Sequence, residues 1–431
     1  MKKQCYPWFL FAASFLAAAG LTGCKRGETD SSRGGWSVLS PKGKEDPGTS
    51  QPDAMEQVEL TVWGAEEDEE LLKKLIDGFK ETYRGQADFS ITYQPQGESG
   101  CKDALMADLE AGADVFAFAD DQLNTLVAAG ALEPVEDGEA VRAANIKEAV
   151  EAASVGNTLY AYPLTADNGY FMYYNKQYFT EEDIKSLDRM LEIAGESGKN
   201  VTMDWSSAWY VYALFGNTGL EVGLNEDGIT NYCTWNGTDG DIKGTDVAAA
   251  MLRIAASPGF ASLNDEGFLK GVRDGSVIAG VSGVWNAMAV EEAWKDGYGA
   301  ARLPSYTCAG KQVQMASFSG YKLIGVNAYS RHYDWASRMA EWITSQASQE
   351  LRFQMRGQGP SNKNAASSEE VRQSPAIVAL LEQSEFSNLQ RIGGNFWEPV
   401  EAFSKIMAAG NPEKVSLQDL LDKMAEGVTA P

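Results

Sequence analysis

An alternation of strand and helix periodicities between Val58 and Gly130 restricts the fold more than any other feature of this chain. Val58, Leu60 and Val62 alternate with polar neighbours, the pattern of a short strand. Asp68, Glu69 and Glu70 then stand at a helix N-terminus, where the helix dipole favours anions. Leu71, Leu72, Leu75, Ile76 and Phe79 mark one face of that helix. Phe89, Ile91 and Tyr93 form a second strand, and residues 102–110 a second helix. Val115, Phe116 and Phe118 form a third strand, apolar enough to be buried. Asp120 or Asp121 is placed to cap a third helix that runs to about Ala129 and ends at Gly130. This order predicts an α/β fold with a parallel sheet covered by helices on both faces. Ligands on such sheets bind beyond the carboxyl ends of the strands. Those ends are Trp63-Gly64-Ala65-Glu66 and Phe118-Ala119-Asp120-Asp121.

Residues 160–317 mix strands and helices and are rich in Trp and Tyr; residues 225–228 and 236–244 are turn-rich. The last quarter is expected to be helical over 334–354, 369–382, 397–409 and 417–425. No internal repeat is visible. Some 400 residues follow position 24, more than one core usually holds, so two domains are expected.

The N-terminus carries an export address. Lys2 and Lys3 precede an apolar run, Trp8–Leu21, of fourteen residues, whereas crossing a bilayer takes about 20. A positive start, a short apolar core and small residues before a cut make residues 1–23 a signal peptide. The ending Leu21-Thr22-Gly23-Cys24 resembles the bacterial lipobox, which makes Cys24 the expected lipid attachment site. Residues 24–57, rich in Gly, Ser, Pro and charge, read as a disordered tether. Its average reach is about 30 Å.

The formal net charge is −25, and loss of Lys2 and Lys3 makes the mature chain more negative. Such acidity argues against nucleic acid and against broad contact with anionic lipid. Cys101, Cys233 and Cys308 remain beyond the lipid site; Cys233–Cys308 is the pairing to test first in an oxidising exterior. No spacing suggests a metal site, and no cofactor fingerprint is present. The only histidine, His332, lies in a Tyr-Ser-Arg-His-Tyr stretch expected at the surface, so a histidine-based catalytic triad has one candidate member. Gly280-Val281-Ser282-Gly283 lacks the spacing of a nucleophile elbow. Paired carboxylates could serve a glycosidase, but acidic residues are too common here for pairing to be informative. No enzymatic activity is expected.

Several aromatic residues sit where core packing does not demand them. Trp63 ends a strand, Trp209 and Tyr210 are adjacent, Trp285 follows Gly283, and Trp397 follows Gly393-Gly394-Asn395-Phe396. Aromatic faces interspersed with carboxylates and amides suit sugars. A pyranose packs its C–H face on a ring and needs acceptors and donors for its hydroxyl rim.

Three stretches carry a family resemblance. They are Ala113–Asp121 with the following LVAAGALEPV, Gly156–Pro163 continued by Tyr173-Tyr174-Asn175-Lys176, and Phe268–Gly275 leading to Val281–Trp285. In these the chain resembles the family 1 extracellular solute-binding proteins of ABC importers, of the maltose/maltodextrin-binding type, over roughly residues 58–425. The resemblance implies a two-lobed, periplasmic-binding-protein-like α/β fold with hinge crossings and a central ligand cleft. Lobe one would hold 58–159 and 318–360, and lobe two 160–317 and 361–431, with crossings near Tyr160, Ser317 and Pro360. It implies sugar contacts from Phe118 (Phe where relatives carry an aromatic), Asp121, the Trp209–Tyr210 pair, Trp285 and Trp397. Asp167 or Asn168 falls where a cleft carboxylate is expected. Glu66 and Glu67 occupy the first strand–helix turn, where relatives place a charged pair that includes a lysine; that lysine is missing. Trp63 beside them joins the expected site.

The function so implied is a lipid-anchored, extracytoplasmic, monomeric receptor that passes an oligosaccharide, maltodextrin or another α-glucan, to an ABC permease. A receptor for a β-linked or amino-sugar oligosaccharide, a lipid-anchored glycan sensor or adhesin, and a lipid-anchored hydrolase are the alternatives.

Overall fold

The computed structural model describes residues 55–431. The leader, Cys24 and the tether up to residue 54 lie outside the described residues. Two mixed sheets, each with its own helices, organise the chain. In the first sheet the order is Ser387–Leu389, Ser317–Val326, Val115–Ala119, Gln57–Gly64, Asp88–Pro95, and Tyr162–Gly169 also pairs with Ser317–Val326. The three strands read from the N-terminal periodicity run parallel, as expected. The sheet is not wholly parallel, because Ser317–Val326 enters antiparallel to Val115–Ala119 and to Tyr162–Gly169. Helix Glu69–Thr82 packs Leu71, Leu75 and Phe79 on Val58, Leu60 and Val62, joined by Trp335, Met339 and Ile343 of helix Tyr333–Thr344.

The second sheet has the order Phe260–Ala261, Asn200–Thr202, Val277–Ser282, Phe171–Asn175, Tyr298–Ala301. Its largest core gathers Trp205, Trp235, Phe215 and Phe403 around helices Ala208–Phe215, Gly244–Ala255, Trp397–Ala408 and Leu417–Val428. Phe215 and Trp235 stack at 4.1 Å and 8°.

The chain passes from the first sheet to the second at Gly169–Tyr170, some ten residues beyond the expected Tyr160, because Tyr162–Gly169 still pairs with Ser317–Val326. It returns as Ser317–Val326 begins, close to the expected Ser317. Pro360 bridges to Thr165, and Asn362 still bridges to Asn145 of the first half. The third passage therefore follows Asn362.

Two expected long helices are each broken. Ser345 takes an extended conformation and accepts from the Ser348 N–H, ending Tyr333–Thr344 and starting Gln346–Arg356. Pro375 opens Pro375–Gln383 and forces its predecessor Ser374 out of helical geometry, which ends Glu369–Gln373. No side chain caps helix Leu123–Ala128; a 3-10 turn, Asp120–Gln122, precedes it. The Asp120 carboxylate instead accepts the Tyr321 N–H at 3.0 Å. Cys101, Cys233 and Cys308 are free thiols, so the Cys233–Cys308 pairing is not made. Among the described residues no helix is long and apolar enough to cross a membrane.

Candidate functional site

A cleft of about 780 Å³ opens where the two halves meet. From the first sheet its lining is the set of strand ends: Ala65, Glu66 and Glu67 after Gln57–Gly64, Glu98 and Ser99 after Asp88–Pro95, and Ala119, the last residue of Val115–Ala119, with Asp121 and Gln122 after it. Both strand-end turns picked out in the sequence thus open onto one space, as the carboxyl-end rule requires. The opposite wall comes from helix starts of the second half: Trp209 and Tyr210, Asp265, Trp285 and Asn286, Trp397 and Glu401. Asn168, Lys322 and Gln390 line the seam between the halves.

The aromatic wall is fixed from behind. Trp285 donates its indole N–H to Asp265 Oδ2 at 2.9 Å, while Ser282 Oγ and Asn286 Nδ2 donate to Oδ1 at 2.9 and 3.0 Å. Burial still raises the Asp265 carboxyl above its ordinary range against these bonds. Trp209 lies 5.7 Å from Trp285 at 33° and meets Tyr170 edge-on at 4.8 Å. Tyr170 donates its hydroxyl to the Trp209 carbonyl at 2.9 Å. The Trp209 indole N–H is buried and has no partner. A buried donor without a partner is costly, and a ligand acceptor in the cleft would satisfy it.

At the seam Lys322 lies with its ammonium 3.2 Å from the Glu98 carboxylate and 6.0 Å from the Trp285 ring centroid. Burial alone would lower its pKa, but the carboxylates of Glu98, Asp167 and Asp68 hold it above the usual value. Behind it Asp68 pairs with Arg352 and Arg356. Burial opposes the charge on Asp68, yet the Arg352 guanidinium leads the attraction that brings its pKa down to about 2. Asp120 and Asp121 behave oppositely. Burial, with the Asp121 charge adding to it, pushes Asp120 up to about 8. Burial also pushes Asp121 up to about 7, against the attraction of Lys102.

Of the residues expected from the sequence, Glu66, Glu67, Asp121, Asn168, Trp209, Tyr210, Trp285 and Trp397 line the cleft. Three do not. Phe118 is fully buried, 5.6 Å from Phe116 in the core of the first half, and Ala119 takes the cleft-facing position. Asp167 is buried behind the seam and accepts the Gly359 N–H, which leaves the amide of Asn168 in the cleft. Trp63 is half-buried against the same core as Phe118 and donates to Gln94 Oε1 at 3.1 Å. Sequence reasoning missed Lys322, Glu98, Asp265, Gln390, Asn286 and Glu401. Lys322 had a signal: it is the one charge in an otherwise largely apolar strand, Ser317–Val326. The first strand–helix turn carries no lysine, and the cleft takes one from strand Ser317–Val326. Among the described residues no group of His, Cys, Asp and Glu is placed to hold a metal ion.

Two α/β halves that share a wide cleft, polar on one wall and aromatic on the other, define the architecture of a solute-binding protein. The family model for bacterial extracellular solute-binding proteins matches residues 74–379, and the chain belongs to that family. It is a family of binding proteins that act outside the cytoplasm. A structure solved with acarbose is 30% identical, with a TM-score of 0.75 over 86% of this chain and 98% of that one. The maltodextrin-binding protein MalE1 from L. casei BL23, solved without ligand, is 24% identical with a TM-score of 0.70, covering 87% of this chain and all of that one. The galactooligosaccharide-binding protein of Bacillus subtilis (strain 168) is 23% identical over 440 residues, 99% of this chain and 96% of that protein.

Proposed function

We propose that this protein is a lipid-anchored receptor that captures an oligosaccharide, an α-glucan first among the candidates, and hands it to an ABC permease. The observation that carries the reading is the cleft itself: Trp209, Trp285 and Trp397 on one side face Glu66, Glu67 and Asp121 on the other. Indole faces desolvate sugar C–H faces, and carboxyl groups bond the hydroxyl rim, most strongly as acceptors when ionised. Each half supplies part of the site, so a ligand that touches both binds the closed form better and shifts the population towards it. The relatives solved with acarbose and described as maltodextrin-binding support an α-glucan cargo. The galactooligosaccharide-binding relative supports the second reading, a galactose-based oligosaccharide in the same cleft.

Calorimetric titration with maltotriose and with a galactotriose separates these cargoes. The expected dissociation constant is about micromolar, near −8 kcal/mol, which still allows release to a permease. Heat with the galacto-oligosaccharide alone would transfer the assignment to the second reading. Anchoring has its own test. Expressed with its leader in a bacterial host, the protein should partition with membranes, and Cys24→Ser should move it to the soluble fraction. Equal partitioning of the two forms would remove the lipid anchor.

A further inference from the structure

Resting on the proposed oligosaccharide cargo, we infer that the cleft continues past Trp397 into an extension subsite that holds the far end of a long chain. A smaller hollow of about 80 Å³ adjoins the main cleft and shares Asp121, Gln122 and Trp397 with it. Its outer wall is the hairpin of Val222–Leu224 and Asn231–Cys233, through Leu224, Gly228 and Ile229. Its floor is formed by residues 391–394 and by the turn that starts at Asp120.

The wall is held by its own hydrogen bonds and by bonds to the floor. Asp227 Oδ1 accepts the N–H groups of Ile229 and Thr230, each at 2.8 Å, and Asn225 N donates to the Thr230 carbonyl at 2.8 Å. Asn231 clamps the hairpin to the floor: its Oδ1 accepts the Gly393 N–H at 2.7 Å, and its Nδ2 donates to the Gly393 carbonyl at 3.2 Å. A Cβ on Gly393 would lie 2.1 Å from the Ile229 carbonyl oxygen, so this contact needs glycine. Binding to a preformed wall avoids the cost of ordering it.

The chemistry of the hollow fits a sugar. Ile229 is 71% exposed at its rim, an apolar surface able to cover a C–H face. Asp120 is 3% exposed, and its Oδ2 has no hydrogen-bond partner. A buried carboxyl oxygen in that state needs a partner, and a sugar hydroxyl supplies one, donating to the carboxylate or accepting from the protonated carboxyl. Lys102 and Arg391, also in the lining, offer donors to neighbouring hydroxyl oxygens.

The test is calorimetry of the mature protein with two homologous series, maltotriose to maltoheptaose and galactotriose to longer galacto-oligosaccharides. In the series that binds, affinity should rise about fivefold or more with chain length. Ile229→Ala should erase most of that gain while the trisaccharide affinity stays the same. Gly393→Ala, which forces the hairpin off the floor, should do likewise. Trisaccharide binding with no gain in the wild type, or a gain that survives in both variants, would overturn the extension subsite while leaving the main cleft intact. No binding of any member of either series would overturn the cargo assignment, and the subsite with it.

Discussion

Trp285 shows how one side chain is turned into a binding surface. Gly283 lets the indole lie against the backbone, since a Cβ there would sit 1.9 Å from the ring, and Asp265 fixes the indole N–H. A plate held on both sides loses little entropy when a sugar stacks on it. Trp285→Ala and Trp397→Ala should each weaken oligosaccharide binding at least tenfold, or about 1.4 kcal/mol, with thermal unfolding little changed; unchanged affinity in both would remove the stacking account. Asp120 offers a pH-dependent prediction. Its pKa in the folded protein, about 8, lies above the ordinary carboxyl value, so the folded state holds a proton that the unfolded chain releases. That stabilisation is complete below pH about 4 and is lost as pH rises through about 8. Asp120→Asn should therefore flatten the fall in stability between about pH 5 and about pH 8 in denaturant titrations; a slope identical to the wild type would contradict the burial account.

At the scale of elements, the sequence showed most where periodicity and punctuation agree. The alternation at Val58–Val62 and the apolar stripe of Glu69–Thr82 became a strand and a helix that pack on each other. Helix ends were less legible, because Ser345 breaks a continuous polar–apolar pattern by side-chain capping that a periodicity does not reveal. The site divided in the same way. Trp209, Trp285 and Trp397 were visible because large aromatics stood beside turns or helix starts. Phe118 was misplaced because strand Val115–Ala119 is buried throughout, and only its register decides that Ala119 rather than Phe118 borders the cleft. Asp265 and Gln390 gave no signal, since they reach the cleft by long-range packing. One contact between elements has a large expected effect. Arg352, 2% exposed, holds Asp68 at the start of helix Glu69–Thr82 from helix Gln346–Arg356. Arg352→Ala strands a buried carboxylate and should destabilise the protein by about 3–5 kcal/mol in chemical denaturation. A loss below about 1 kcal/mol would show that Arg356 alone satisfies Asp68.

For the whole molecule, the two sheets are joined by passages at Gly169–Tyr170, at Ser317 and after Asn362, and the cleft lies along this seam. Few connections and a ligand shared between halves are the conditions for hinge closure. X-ray scattering of the mature protein should show a smaller radius of gyration at saturating oligosaccharide; superimposable curves at saturation would rule out closure. The central claim is narrower, that this cleft binds an oligosaccharide through its aromatic wall. Calorimetric titration of the mature protein with maltotriose and with galactotriose tests it most directly. The account predicts saturable one-site binding of at least one of them with a dissociation constant of about micromolar, whereas no heat with either sugar, at concentrations reaching millimolar, would contradict it.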